Sequence, residues 1–529
     1  MDVLLTLLPI IVVLVLLAFI KWPADASGLA GWITAVAVAY FFFNTRLEVS
    51  MTSSLYGLLL SFPISLMVAT SIFQITFLES TGALQRIVVF VKTLAKSDRA
   101  VQIMILNMGI GTLLVSVGAT PVSILPPIML ALGYSTFVAV ALPALGFDSL
   151  CTYALLGAPL VAFVDLTAPA MSDAALANAS LIFSSYMPVI STLIGFAMLY
   201  IVGGFKQIKE GFIPCTIAGL TMGLTAMAVA HIGRGIVLTG VFAGLATVLI
   251  MFAYLWIQRK PLVDRSCLIE ADLKVEQEMS LLRALAPWLI LIASCLFVNF
   301  YPPVLTYLRD TMGMPVHVIP NIAVEGAKPV KPVALRMLWN AYTWVLISTL
   351  LAIPFLRPTG AQWKEIFVKW FKRAPRPVFS AAIFFAIAFV MNFSGFEVVT
   401  NGWVPHPDSN MIAILATQSA DFFKGLYPAI AAYLGLLGGF VTGSEASTIA
   451  LFTKYNILIS EKLHLNYLVV IAGTAIAGGL ASVISPAKLQ NAAATIDALG
   501  IESKVIRVAF IISFILTTVA AVMTFFMAT

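Results

Sequence analysis

The segment Leu437–Phe452, with the sequence LGGFVTGSEASTIALF, interrupts an apolar C-terminal region with glycines, hydroxyl side chains and the acidic residue Glu445. A carboxylate within a membrane span costs several kcal/mol unless it is solvated, paired or protonated. Irregular backbone at that depth is tolerated only where it is buried in protein or lines a water-filled cavity. The segment therefore predicts a broken membrane helix with a functional site at the break.

The composition of the chain places this segment in a membrane protein. Of 529 residues, 61% are hydrophobic and only 10% are charged, whereas soluble domains average about 25% charged residues. Apolar runs of roughly 17–25 residues, the length that crosses a bilayer, recur along the sequence. We therefore predict an all-α polytopic membrane protein with about 12–14 transmembrane helices.

The basic residues concentrate in four short segments between apolar runs: Arg86–Arg99, Lys206–Lys209, Arg259–Arg283 and Lys364–Arg376. The positive-inside rule explains these clusters better than a nucleic-acid footprint, although the formal net charge is +6. Placing all four segments in the cytoplasm gives a consistent topology only if the N-terminus lies outside. The first residues lack the cationic start of a signal peptide, so we expect the first helix to be retained.

The cysteines and histidines carry no metal-binding signature. The chain has four of each, and neither set shows the spacing of zinc or haem ligands. The sequence predicts no metal site and no cofactor. It also lacks the Ser–His pair or metal-spaced acids of an intramembrane enzyme, and the Lys, His and Glu residues strung through several helices of an energy-converting subunit.

The two halves of the chain contain the same elements in the same order. Each half has a span, then an interrupted hairpin with a small polar tip, then a helix broken at a proline. With the basic segments inside, the corresponding spans cross in opposite directions, which predicts two inverted repeats. The elements are FLESTGALQ (Phe77–Gln85), a hairpin near 119–134 and LGAP (Leu156–Pro159), then MNFSGFEVV (Met391–Val399), a hairpin near 442–460 and VISP (Val483–Pro486).

This order predicts four regions. They are N-terminal helices at 1–51, a first repeat at 52–203, connecting helices at 204–376 with a cytoplasmic loop at 258–284 and an exterior loop at 302–337, and a second repeat at 377–529.

The hairpin tips predict an anion-binding site. Helix N-termini carry partial positive charge, and hydroxyl groups add donors, so two tips that meet could hold a small anion. The alternative is that small and hydroxyl residues only allow close helix packing. The candidate substrate-binding residues are Thr120, Pro121, Ser123, Thr442, Gly443, Ser444 and Ser447, and the predicted helix breaks are Pro159 and Pro486.

Two acidic residues lie within apolar segments. Glu445 follows the second tip, and Asp148 lies in the helix that we expect to break near Pro159. Burial disfavours a charged carboxylate relative to the neutral acid, so a partly desolvated carboxyl group can take up a proton near neutral pH. We therefore interpret Glu445, and secondly Asp148, as proton-coupling residues.

The segments that contain these residues resemble the lactate permease family, which includes glycolate permeases. GATPVSILPPIMLALGY (Gly118–Tyr134) resembles the family's Gly-Thr-Pro-Val hairpin, and ALGFDSLCTYALLGAP (Ala144–Pro159) resembles the helix that follows it. LGLLGGFVTGSEASTIALF (Leu434–Phe452) resembles the family's Thr-Gly-Ser stretch, and ISPAKLQNAAA (Ile484–Ala494) resembles its Ile-Ser-Pro element. The resemblance covers nearly the full length of the chain.

The sequence also departs from the family pattern. Ala446, Thr448 and Ile449 stand where the family has Thr, Ser and Asn, and Ala487 stands where it has Gln. A glycine run before Thr-Pro is replaced by Gly-Ala. The loss of an amide and a hydroxyl group leaves the exact substrate open.

The resemblance implies a secondary transporter in the cytoplasmic (inner) membrane of a prokaryote. It implies proton-coupled symport of L-lactate or a related 2-hydroxymonocarboxylate such as glycolate. It also implies membership of the ion-transporter superfamily, whose members move a substrate-holding domain like an elevator.

Sodium coupling through broken-helix carbonyls is the alternative. The expected partners are a small carboxylate anion, a proton or sodium, and membrane lipid, with no nucleic acid. A homodimer is compatible with the sequence.

Overall fold

The computed structural model describes residues 2–94, 98–324, 330–498 and 500–529, with the side chains of Ala18, Cys267, Pro486, Ala487 and Asn491 excepted. This part of the chain is almost entirely helical and carries two small strand pairs. The all-α prediction is confirmed.

The helices up to the cytoplasmic loop are α1 (Asp2–Ala18), α2 (Ala24–Phe42), α3 (Leu47–Leu60), α4 (Phe62–Ser80), α5 (Ala83–Lys92), α6 (Arg99–Ile103), α7 (Gly111–Ser116), α8 (Pro121–Ala131), α9 (Thr136–Phe147), α10 (Ala154–Thr167), α11 (Asp173–Glu210), α12 (Phe212–Ile232) and α13 (Thr239–Ile257). The remaining helices are α14 (Glu270–Glu278), α15 (Leu281–Ala284), α16 (Ala286–Phe300), α17 (Pro302–Thr306), α18 (Ala341–Leu351), α19 (Ile353–Leu356), α20 (Gly360–Arg373), α21 (Pro375–Asn392), α22 (Met411–Phe423), α23 (Tyr427–Thr442), α24 (Glu445–Leu463), α25 (Tyr467–Ala481), α26 (Pro486–Ala494) and α27 (Glu502–Ala528).

Tighter and wider helical turns connect several of these helices. The wider, π-helical turns are Met104–Ile110 and Tyr307–Thr311, and the tighter, 3₁₀ turns are Asp148–Tyr153, Ile236–Leu238, Arg265–Cys267, Pro407–Ser409, Lys424–Leu426 and Ser482–Ile484. The strands form two antiparallel pairs, β1 (Pro315–Val316) with β2 (Val333–Ala334), and β3 (Phe396–Val399) with β4 (Gly402–Pro405).

Eleven helical segments of the described chain are long and apolar enough to cross a membrane, or twelve if α16 and the segment bent from it by 88° form one span. The count of twelve is the lower end of the predicted 12–14, and the count of eleven lies one below it. Other apolar helices are shorter, such as α1 with 17 residues and α18 with 11. The chain is therefore a polytopic helical membrane protein.

Three of the predicted domain boundaries fall within helices. The boundary after residue 51 lies inside α3, and the one after residue 376 lies inside α21. The boundary after residue 203 lies inside α11, where Gly203 and Gly204 depart from helical geometry. The predicted exterior loop at 302–337 contains α17, β1 and β2, and the cytoplasmic loop at 258–284 contains α14 and α15.

The four basic segments lie at one face of the molecule, which we call the basic face. Arg86 Nη2 lies 3.2 Å from Glu276 Oε1, so the segments on either side of this pair meet. Arg373 Nη1 lies 2.7 Å from Glu79 Oε2, directly before α5. The C-terminal end of α11 packs against α6. The four segments therefore lie on one side of the molecule, as the positive-inside rule predicts for them.

The two strand pairs lie together at another face, which we call the strand face. The backbone N–H of Trp403 in β4 donates to Asn321 O at 2.8 Å, and Ala323 N–H donates to Trp403 O at 2.8 Å. Arg336 then pairs with Asp165 near the end of α10, at 2.7 Å. The segment 302–337 therefore covers the ends of α10 and of the β3–β4 hairpin.

Both interrupted segments fold back on themselves. In the first, the Tyr134 hydroxyl donates to Gln102 Oε1 at 2.9 Å, and the Arg99 guanidinium lies 4.9 Å from the Tyr134 ring centroid. The chain therefore leaves from α6 and returns through α8 to the same end. In the second, the Tyr427 hydroxyl at the start of α23 donates to Asn456 Oδ1, late in α24.

Candidate functional site

Four interruptions of helices lie in the segments that the sequence singles out. The first break is Val117–Thr120, between α7 and α8, and the second break is Asp148–Gly157, between α9 and the regular part of α10. The third break is Gly443–Ser444, between α23 and α24, and the fourth break is Ser482–Ser485, between α25 and α26.

The sequence predicted a break near Pro159, and the second break lies directly before this proline. Leu155, Leu156 and Gly157 adopt left-handed φ values of 53°, 53° and 73°. This conformation costs roughly 1–2 kcal/mol for each residue that carries a Cβ. Pro159 follows in the first turn of the regular helix, where a residue without an N–H costs no hydrogen bond. The proline therefore starts the regular helix after the break.

The third break is capped by its own side chains. Gly443 has a φ of +66°, which L-residues with a side chain rarely adopt. The Thr442 hydroxyl donates to Ser444 O at 3.0 Å, and Ser444 Oγ accepts from the Ser447 N–H at 3.4 Å. Residues Thr442 to Ser444 are nevertheless half-buried, while the residues that follow them are buried. The turn is therefore the accessible part of an otherwise enclosed segment.

Glu445 joins the third break to the second. Its side chain is only 2% exposed, and its Oε1 accepts a hydrogen bond from the Thr152 hydroxyl at 2.6 Å. Its Oε2 lies over the bare backbone of α25, because a Cβ built on Gly479 would come within 2.8 Å of it. Oε2 has no hydrogen-bond partner among the described residues.

Asp148 joins the second break to the fourth. It is 4% exposed, and its Oδ1 accepts from the Ser482 hydroxyl at 2.5 Å. The Ser482 oxygen in turn accepts from Lys488 Nζ at 2.7 Å, so a hydroxyl group links the carboxylate to a cation. The Lys488 ammonium lies 3.7 Å from the Phe147 ring centroid. Asp148 Oδ2 has no partner within the described structure.

The two carboxyl groups belong to one cluster, because the Cys151 thiol contacts both. We call this group of side chains the acid cluster. The sequence identified its two acids, but it did not identify Thr152 or Ser482 as their partners. The acid cluster consists of Asp148, Cys151, Thr152, Glu445, Ser482 and Lys488.

The first break lies beside the second through α13. A Cβ built on Gly240 would come within 2.1 Å of Ser116 Oγ and 3.0 Å of Tyr153 O. Thr120 and Ser123 are half-buried, and the Ser123 N–H donates to Thr120 O at 2.9 Å. Among the hydrogen bonds of the described residues, none joins Thr120 to the third break.

The remaining predicted site residues lie at the ends of the breaks. Pro121 is the first residue of α8, and Pro486 is the first residue of α26, directly after the fourth break. Ser447 is fully buried in α24, and its hydroxyl group has no partner within the described structure. The positions of Pro121 and Pro486 suit proline, whose φ fits the first turn of a helix.

Two adjacent cavities approach the second break. The first has a volume of about 20 Å³ and is lined by Leu155, Leu156 and Trp339, among others. The second, of about 70 Å³, shares Trp339 and is lined also by Asp173 and Arg234. Trp339 belongs to the polypeptide that follows β2, at the strand face. The first cavity therefore contacts both the left-handed turn and the polypeptide of the strand face.

Comparison with known proteins gives one consistent result. The model of the L-lactate permease family matches residues 2–529. The L-lactate permease of Bacillus subtilis (strain 168) is 22% identical over 99% of this chain and 95% of its own length. The glycolate permease GlcA of Escherichia coli (strain K12) is 21% identical over 100% of this chain and 96% of its own. The L-lactate permease of Streptococcus iniae is 21% identical, over 88% and 92% respectively.

Proposed function

The chain belongs to the L-lactate permease family, and on that premise we propose that it carries L-lactate, or a related 2-hydroxymonocarboxylate such as glycolate, into the cell together with a proton. A permease is a transporter and not an enzyme, and the many apolar helices agree with a multi-pass protein of the bacterial inner membrane. The finer statements, on coupling, substrate position and movement, rest on the acid cluster and on the four breaks.

The observation that supports proton coupling is the unequal surroundings of the two buried carboxyl groups. Asp148 is linked through Ser482 to the Lys488 cation, which favours its charged form. Glu445 receives a hydroxyl hydrogen bond from Thr152, but the described residues give it no direct cation. Glu445 is therefore the group whose charge changes. If protonation raises substrate affinity, substrate binding must raise proton affinity by the same factor.

The half-buried tips support a substrate site at the breaks. Thr120 and Ser123 lie at the N-terminus of α8, and Ser444 lies at the N-terminus of α24. Helix N-termini attract anions through their unpaired N–H groups and partial positive charge. A carboxylate bound beside the third break would lie close to Glu445, so its negative charge would favour the protonated form of that residue.

The order of the elements supports an inverted repeat and an elevator movement. Each half contains a helix–break–helix hairpin followed by a broken helix, and the acid cluster lies entirely within these elements. Asp25 at the start of α2 lies 3.6 Å from Arg376 of a basic segment, so the chain between α1 and α2 lies at the basic face. If the basic face is cytoplasmic, as the positive-inside rule favours, the N-terminus of α1 lies outside. The hairpins and broken helices would then move together as the substrate-holding body.

Sodium coupling is the second candidate function. Asp148 Oδ2, Glu445 Oε2 and the Ser447 hydroxyl are buried oxygens without hydrogen-bond partners within the described structure. Carboxylate and hydroxyl oxygens are the ligands that hard cations prefer.

Uptake by purified protein in proteoliposomes separates the two candidates. Labelled L-lactate is supplied with an inward proton gradient, with an inward sodium gradient, or with neither. We expect accumulation with the proton gradient alone, and competition by unlabelled glycolate. Accumulation driven only by sodium would favour the second candidate. Absence of uptake above that of protein-free liposomes would contradict both.

A further inference from the structure

We propose that Lys488 binds the carboxylate of the substrate. The inference rests on the proposed function and adds to it the residue that recognises the charge shared by all short 2-hydroxymonocarboxylates. Four observations support it. Lys488 is the cation beside the two buried acids, and its ammonium group has N–H donors to spare. It lies close to the accessible Thr442–Ser444 turn, and its charge enters the charge balance of the acid cluster.

Lys488 is the cation of the acid cluster. Its charge acts on both Asp148 and Glu445. A positive group that is half-buried beside two buried acids supplies the attraction that an anion needs at this depth. The substrate could not approach these acids at acceptable cost without such a cation, because like charges repel strongly in a poorly solvated site.

Lys488 also has donors to spare. An ammonium group carries three N–H bonds, and the hydrogen bond described for it goes to Ser482 Oγ. The Phe147 ring lies against the ammonium group at 3.7 Å and offers it an aromatic face. The link to Asp148 passes through the Ser482 hydroxyl and is therefore not a direct ion pair. This arrangement holds the ammonium in place and leaves it able to bind a second oxygen acceptor.

The fourth break places Lys488 near the accessible turn. A Cβ built on Gly443 would come within 2.9 Å of Ser485 Oγ, so the third and fourth breaks are in contact. Lys488 follows Ser485 by three residues, which is about one turn of α26. A carboxylate at the half-buried Thr442–Ser444 turn therefore lies on the side of the cluster from which Lys488 can be reached.

The charge balance gives Lys488 a specific role. With Asp148 and Glu445 charged and Lys488 positive, the cluster carries a net charge of −1, and a bound lactate would bring it to −2. Protonation of Glu445 returns the charge to −1. Lys488 thus binds the anion, and Glu445 compensates for it, so the two residues perform separable tasks.

The test measures equilibrium binding of L-lactate and of L-lactamide to purified protein at one fixed pH. The amide has the shape of lactate without its charge. We expect Lys488→Met to weaken lactate binding by about tenfold or more, the range of a charge-assisted hydrogen bond, and to change lactamide binding by less than about twofold. Lys454→Met, on the exposed side of α24, is the matched control and should bind both ligands as the native protein does.

A second variant separates substrate binding from mere neutralisation of Asp148. The double substitution Asp148→Asn with Lys488→Met removes both members of the linked pair, so neither is left without the other, and the variant remains informative if Lys488→Met alone fails to fold. We expect the double variant to bind lactate as weakly as Lys488→Met does.

Two outcomes would overturn the inference: native lactate affinity in Lys488→Met, or recovery of that affinity in the double variant. In either case the proposed function would stand, because the native protein still binds lactate. If the native protein binds no 2-hydroxymonocarboxylate in the same assay, both proposals fall.

Discussion

Identical carboxyl groups can perform different tasks when their neighbours differ. Glu445 and Asp148 are both buried and each keeps one oxygen without a partner in the described structure. Glu445 accepts a hydrogen bond from the Thr152 hydroxyl, whereas Asp148 accepts one from the Ser482 hydroxyl, which Lys488 also approaches. Since removing one partner of a buried charge leaves the other uncompensated, these two acids should respond differently to substitution.

Glu445→Gln mimics the neutral acid and tests the coupling role directly. The variant should bind and exchange lactate, because the substrate site keeps its cation and its hydroxyl groups. It should show weak pH dependence and no accumulation driven by a proton gradient, because no group changes charge with the substrate. The measurements are counterflow exchange and gradient-driven uptake in proteoliposomes.

Asp148→Asn is the comparison for this experiment, since it removes the acid that is linked to Lys488. We expect it to retain proton-driven accumulation better than Glu445→Gln does. If Glu445→Gln still accumulates lactate with unaltered pH dependence, the coupling proton is carried at Asp148 or with the substrate itself, and Glu445 has a structural role.

Helices in this protein are shaped by glycine in two distinct ways. Gly443 supplies a left-handed turn, whereas Gly439 allows α23 to touch α25, because a Cβ built there would come within 2.0 Å of Gly478 O. The sequence motif LGGFVTGSEAS signals both uses with the same residue type. Only the three-dimensional neighbours distinguish a break from a packing contact.

The site residues that the sequence could predict are those whose signal is local in the chain. Glu445 and Asp148 could be identified because an acid in an apolar run is visible locally. Thr152 and Ser482 could not be assigned to them, since they lie 293 and 334 residues from their partners. The second break could be predicted near Pro159 but its exact extent could not, because a proline is equally compatible with a break and with the first turn of the helix after it.

Gly439→Ala tests the close packing of α23 on α25. The added methyl group meets backbone and not a flexible side chain, so the helices must separate. Overpacking of this kind costs typically about 1–3 kcal/mol, and we expect a lower thermal unfolding midpoint in detergent together with reduced uptake.

Gly425→Ala, before the start of α23, is the matched control, because a Cβ there meets no heavy atom within 4 Å. Its unfolding midpoint should stay close to that of the native protein. An unchanged midpoint in Gly439→Ala would mean that the interface adapts to the methyl group.

At the scale of the whole molecule, charge distribution and chain reversal support the same topology. The basic segments meet at the basic face, and the first hairpin opens near Arg99 of that face. The strand pairs meet at the strand face, together with the polypeptide that covers the end of α10. If the two halves are inverted repeats, the second hairpin must open towards the strand face.

Cysteine labelling from either side of the membrane tests this topology. Ala131 at the end of α8 and Glu461 near the end of α24 are both exposed and lie at the open ends of the two hairpins. Each is replaced by cysteine in a background that carries Cys267→Ser; Cys151, Cys215 and Cys295 are buried in the structure. The background protein alone is the control for labelling of these native thiols.

With a membrane-impermeant maleimide, Ala131→Cys should react only from the cytoplasmic side, because its hairpin opens at the basic face, and Glu461→Cys only from the exterior. Reaction of both from one side would contradict the inverted repeat and would leave the acid cluster as a site between two hairpins of parallel orientation.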